Sequence, residues 1–180
     1  VLLIDDFIKK LPYDLTLDQK KAIDIMLSEL KGNKIMNRLL QGDVGSGKSI
    51  VALIIALANV SAGYQVVLMA PTEILALQHY NYFNNLLNDY KIHVKLLTGS
   101  TKISEKNDIL ERVITNRINI LIGTHALIQD NVKFKKLGLV IVDEQHRFGV
   151  NERSKLINKD LKADSLFLTA TPIPRTLGIA

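Results

Sequence analysis

Six short apolar runs, each bounded by turn residues, alternate along this chain with segments of helical character. They are RLLQ from Arg38, QVVLMA from Gln65, HVKLLT from His93, INILIG from Ile118, GLVIVDE from Gly138 and SLFLTA from Ser165. A half-exposed strand alternates apolar and polar side chains, whereas a continuous apolar run suits a strand buried on both faces. Helices are expected between the runs, over Leu17 to Lys31, Lys48 to Ala62, Ile74 to Asn88, Ser104 to Asn116 and Asn151 to Asn158. Such alternation predicts an α/β fold with a mainly parallel central sheet and helices on both faces. Ligands then bind beyond the carboxyl ends of the strands. At 180 residues, 47% of them hydrophobic, the chain is ample for one such domain and short for two.

Composition removes several classes of function. There is no cysteine, hence no disulfide scaffold, thiolate metal site or cysteine nucleophile, which fits a reducing cytoplasm. The longest apolar run, Ile50 to Ala58, is too short to cross a bilayer, so no membrane partner is expected. The net charge of +5 mildly favours a polyanionic partner such as nucleic acid. Because the chain opens on Val1 and closes on TLGIA, it reads as a piece of a longer protein.

The first strand runs into GDVGSGKS, Gly42 to Ser49, which fits G-x-x-x-x-G-K-[ST] without a gap. Gly42, Gly45 and Gly47 let the backbone turn its N–H groups inward, with Asp43, Val44 and Ser46 completing the loop. Those N–H groups and the start of the next helix form an anion-binding nest. Lys48 is placed to reach the β and γ phosphates, and the Ser49 hydroxyl to bind Mg²⁺. The competing reading is a glycine-rich turn that merely precedes a helix. The strand before the loop and the long apolar helix after it favour phosphate.

A nucleotide-bound Mg²⁺ also needs a carboxylate from a second strand. GLVIVDEQH ends an apolar strand in Asp143, a candidate Mg²⁺ ligand, followed by Glu144, a candidate general base for the attacking water. An acidic pair can also be just a solvated strand end. Together with GDVGSGKS it makes the chain a nucleoside triphosphatase. None of the four histidines, at 79, 93, 125 and 146, pairs with another as a metal cluster.

The motifs LLQGDVGSGKS, APTEILALQHY, GTHALIQ, DEQHRFGV and TATPIPRTL, in that order, resemble those of superfamily 2 DExH helicases, and of the RecG family in particular. LPYDLTLDQKKAI resembles that family's adenine-reading motif, and the likeness runs from Leu11 to Leu177. The transcription-repair coupling translocases are near relatives, and Gln145 favours the RecG family over them. An RNA motor and a non-catalytic nucleotide-dependent binding module are the other readings.

The resemblance implies a single RecA-like motor domain over 1–180, with the adenine motif and a leading helix in 1–36 and the remaining motifs in 37–180. It implies ATP and Mg²⁺ as cofactors and branched or forked duplex DNA as partner, in a bacterial, nucleoid-associated setting. A second RecA-like domain and a wedge domain are expected outside these residues. By position, Gln19 would hydrogen-bond adenine. Pro71, Thr72, Glu73, Thr98, Gly99, Thr124 and His125 would line the DNA track, where small hydroxyls and free N–H groups suit phosphate contact. For any one of these, ordinary strand-end capping is an equal alternative. Gln145, His146, Thr169, Ala170, Thr171 and Arg175 would join the nucleotide site to the track, with Arg147 beside them. KFKKLG, Lys133 to Gly138, reads first as a solvated loop and second as a phosphate contact.

Overall fold

A computed structural model describes residues 2–30, 32, 35–41, 47–129, 131–143 and 163–169. The expected helix at Asn151 to Asn158 lies outside them. Six strands form one all-parallel sheet: β1 (Asn37–Gln41), β2 (Gln65–Met69), β3 (Val94–Leu97), β4 (Ile120–Gly123), β5 (Leu137–Asp143) and β6 (Asp164–Thr169). Their order across the sheet is β1-β6-β5-β2-β4-β3. Around them pack α1 (Leu2–Lys9), α2 (Leu17–Leu30), α3 (Lys48–Ser61), α4 (Glu73–Leu87) and α5 (Ile103–Ile114).

Strand periodicity divides the core into two layers. Val66, Leu68, Ile120, Ile122, Leu139, Ile141, Leu166 and Leu168 face a cluster that takes in α1 to α4. Val67, Met69, Leu121, Val140 and Val142 face the other, with Ile109 and Val113 of α5. Helices therefore cover both faces, which is why the four inner strands read as unbroken apolar runs. β1 is different: it is an edge strand, and Arg38 to Leu40 are only half-buried. α3 is apolar all round because it is buried all round, with Ile50 to Leu57 at most 2% exposed.

α1 is an addition to the expected helices. Ile4 and Phe7 are three apart on one face and both are buried, with the Phe7 ring edge-on to Tyr90 at 5.7 Å. Eight residues cannot hold a helix in water, so packing sustains this one.

Two polar groups fasten the amino-terminal edge of the sheet. Gln65, fully buried, donates from Nε2 to the carbonyls of Val113 (2.8 Å) and Ile118 (3.0 Å), and its Oε1 accepts from Lys136 N–H at 2.9 Å. Its amide is thereby satisfied across α5, β4 and β5. At the start of β6, Asp164 Oδ1 accepts the Met36 N–H at 2.7 Å. Burial raises the Asp164 carboxyl above its ordinary value; the Met36 bond opposes this and the Glu29 charge adds to it. A carboxyl raised on folding stabilises most when protonated and costs stability as pH rises through its folded value. Asp164→Asn keeps the acceptor and removes the charge, so its melting temperature should exceed wild type at pH 7. The difference should close as pH falls toward 4, and paired thermal melts at the two pH values check this.

Candidate functional site

Because all six strands are parallel, their carboxyl ends share one edge. Gln41 of β1 lies in register with Thr169 of β6, and Asp143 of β5 with Leu168, so these three ends are neighbours. Strand spacing puts the ends of β1 and β5 about 10 Å apart. β2, β4 and β3 occupy the rest of the edge and lead into Pro71 to Glu73, Thr124 with His125, and Thr98 with Gly99. Among the described residues, the expected nucleotide residues Gly47, Lys48, Ser49 and Asp143 thus fall on one half of the edge and the expected track residues on the other.

In the first half, Gly47 precedes α3 with φ at +86°, the left-handed region that favours glycine, and as the N-cap residue it brings no side chain to the helix start. A Cβ at Gly47 would lie 2.0 Å from Gln19 Nε2. Lys48 and Ser49 open α3, and the Lys48 ammonium is buried. Gln19 is held by a reciprocal pair: Thr16 N–H donates to Gln19 Oε1 (2.8 Å) and Gln19 N–H to Thr16 Oγ1 (3.1 Å). This is a capping box at the start of α2, legible in Thr16-x-x-Gln19. Gln19 Nε2 also donates to the Gly47 carbonyl at 3.4 Å, linking α2 to the glycine loop. Gly42, Asp43, Val44, Gly45, Ser46, Glu144, Gln145, His146, Arg147, Ala170, Thr171 and Arg175 lie outside the described residues.

Asp143 closes β5 at 1% exposure, and its Oδ2 meets His79 Nε2 of α4 at 2.7 Å. In the sequence His79 stands out only as a histidine without a second one at metal-ligand spacing. The signal was available: His79 is three residues after Ala76 and four before Phe83, both fully buried, so it shares the inward stripe of α4. A polar side chain on that stripe requires a partner. Among the described residues no cluster of three His, Cys, Asp or Glu could hold a metal by itself. The groups fit a metal–nucleotide pair instead: the start of α3 behind a glycine N-cap, a buried ammonium, the Ser49 hydroxyl and a buried carboxylate.

In the second half, Thr72 Oγ1 caps α4 by accepting Leu75 N–H at 3.2 Å. The Glu73 carboxylate turns to the neighbouring loop, accepting from Ser100 N–H (3.1 Å) and Ser100 Oγ (2.9 Å). That loop closes on itself, with Thr98 N–H on Thr101 Oγ1 at 3.0 Å and Ser100 N–H on Thr98 Oγ1 at 3.2 Å. Thr98 and Thr124 are buried, Pro71 is half-buried, and Thr72, Glu73, Gly99 and His125 are exposed. Lys133 to Lys136 lead into β5 at the opposite edge, with the Lys136 ammonium 4.6 Å from the Tyr64 ring centre. That places Lys133 to Lys136 at the end of the sheet opposite the expected track residues, while Leu137 and Gly138 already belong to β5 and are buried.

The sequence profile of the DEAD/DEAH box helicase family matches residues 16–178. The chain is 54% identical over 175 residues to the ATP-dependent DNA helicase RecG of Aquifex aeolicus, covering 96% of this chain and 22% of that protein. It is 53% identical over 173 residues to the RecG of Bacillus subtilis, covering 96% and 25%. It therefore spans about a quarter of the length of these curated relatives. Among solved structures, RecG bound to a three-way DNA junction superposes with a TM-score of 0.88 at 49% identity, over 99% of this chain and 24% of that one. The UvsW helicase of bacteriophage T4 has a TM-score of 0.66 at 17% identity over 93% of this chain and 59% of that one, a likeness of fold alone. Among the described residues no helix is long and apolar enough to cross a membrane.

Proposed function

The chain belongs to the DEAD/DEAH box helicase family, and on that premise we propose that it is the first RecA-like motor domain of a RecG-like, ATP-dependent helicase that remodels branched DNA. The observation that carries this reading is the division of one sheet edge into a half with the buried Lys48 ammonium and Asp143 carboxylate and a half of short polar turns. ATP binding follows from the family. Mg²⁺, when bound, supplies neutralisation of phosphate charge. Ser49 and Asp143 would hold it, Lys48 would pair with the phosphates, and Gln19 would face the adenine beside the loop it already touches. Glu144 would take the proton of the attacking water.

Pro71, Thr72, Gly99 and His125 would meet the DNA backbone, where contacts position a protein without reading sequence. Glu73 has another part, because a carboxylate repels phosphate: it would hold the Ser100 loop in place for its backbone to make contact. Gln145, His146, Thr169, Ala170, Thr171 and Arg175 would join the two halves. A second RecA-like domain would complete the ATP site with an arginine, a contribution worth about 10³ to 10⁵ in turnover.

The test compares this chain with its full-length parent for ATP hydrolysis on forked, duplex and single-stranded DNA. The chain alone should bind Mg²⁺–nucleotide weakly and turn over very slowly, while the parent responds most to forks. A parent that no DNA stimulates would overturn the DNA-motor reading. Strong DNA-stimulated turnover by the chain alone would overturn the need for a second domain.

A further inference from the structure

We infer that His79 is a positioning residue for the Mg²⁺ ligand Asp143, and that through it α4 ties the DNA-track loop to the metal site; this rests on the function proposed above. His79 is 12% exposed and Asp143 1%, and their 2.7 Å contact is a short hydrogen bond to a buried carboxylate. A ring fixed on a packed helix and bonded to Oδ2 restricts how the carboxylate turns, and with it the direction in which Oδ1 presents lone pairs. Metal ligands are oriented in this way by the groups behind them.

The same helix begins at the track. Thr72 caps its first turn, and Glu73 grips the Ser100 loop. The six residues from Glu73 to His79 rise about 9 Å along the helix. Ala76, Phe83 and Leu87 are fully buried, so α4 shifts as one piece rather than bending between those points. A displacement of the Ser100 loop therefore reaches Asp143 by a chain of three contacts: carboxylate on loop, helix, and imidazole on carboxylate.

Two substitutions separate positioning from bulk. His79→Gln places an amide Nε2 where the imidazole Nε2 stands, whereas His79→Asn places its amide at the level of Nδ1, short of Asp143. Both are made in the full-length parent, and each is titrated with a fluorescent ADP in Mg²⁺ and in EDTA, beside thermal melts. His79→Asn should lose about tenfold of the affinity that Mg²⁺ adds, the size of one hydrogen bond to a charged group. Its affinity in EDTA should be unchanged, and His79→Gln should recover the loss. An undiminished Mg²⁺ increment in His79→Asn, or an equal loss in EDTA, overturns the inference.

At saturating Mg²⁺–ATP, His79→Asn should also lower DNA-stimulated turnover while leaving DNA affinity intact, and an unaltered stimulation overturns the link through α4. If the wild-type parent itself gains nothing from Mg²⁺, the proposed function falls together with the inference. A wild type that gains alongside a variant that does not lose removes the inference alone.

Discussion

Lys48→Ala is expected to lower ATP turnover by the parent motor at least about a hundredfold, the order seen when one fixed electrostatic contact to developing charge is removed. Lys48 is the first residue of α3, directly after the left-handed Gly47, and its ammonium is buried. A cation withdrawn from water there interacts with a phosphate far more strongly than one in bulk solvent. Alanine is the best helix former, so the helix start itself is not weakened. The melting temperature should therefore hold while binding of a fluorescent ADP in Mg²⁺ disappears. Equal binding by wild type and variant would mean that GDVGSGKS holds no phosphate in this protein.

The second large effect is expected at Gly123, the last residue of β4, just before Thr124. A Cβ there would stand 2.0 Å from the Leu97 carbonyl oxygen and 3.1 Å from Leu127 Cγ. Gly123 and Leu97 are register partners on β4 and β3, so the obstruction is backbone and cannot rotate away. β3 is an edge strand and must yield, carrying Thr98 and the loop that Glu73 holds. Overpacking of this kind costs about 1–3 kcal/mol. In a domain of this size that lowers the melting temperature by roughly 5 °C. Gly123→Ala should also weaken DNA binding more than nucleotide binding, as read by anisotropy with labelled forks and labelled ADP. An unchanged melt would show that β3 moves aside freely.

The fold was legible because the inner strands are buried on both faces and their turns are sharp. Val66 to Met69 could have been little else. α1 escaped because a two-turn helix carries almost no propensity signal and exists through its packing, with Ile4 and Phe7 buried and Leu3 and Ile8 packed beside them. β1 looked like its neighbours in sequence, yet its place at the edge leaves it half exposed. Motif residues were legible by type and spacing, but their contacts were not. Glu73 and Ser100 are 27 residues apart, and they meet because β2 and β3 are parallel, end on the same edge and have only β4 between them. Asp143 and His79 meet for a similar reason, through the packing of α4 over the sheet. The capping role of Gln19 and the inward position of His79 were both written in local spacing.

Gln65 sits far from any of this chemistry, at the opposite rim, where one amide binds α5, β4 and β5 together. A lever works only against a fixed fulcrum. With that rim pinned, β2, β4 and β5 are held to one another at one end only. A motor built on such a domain would have its anchor on that side of the sheet and its moving parts, α4 and the loops at the carboxyl ends, on the other.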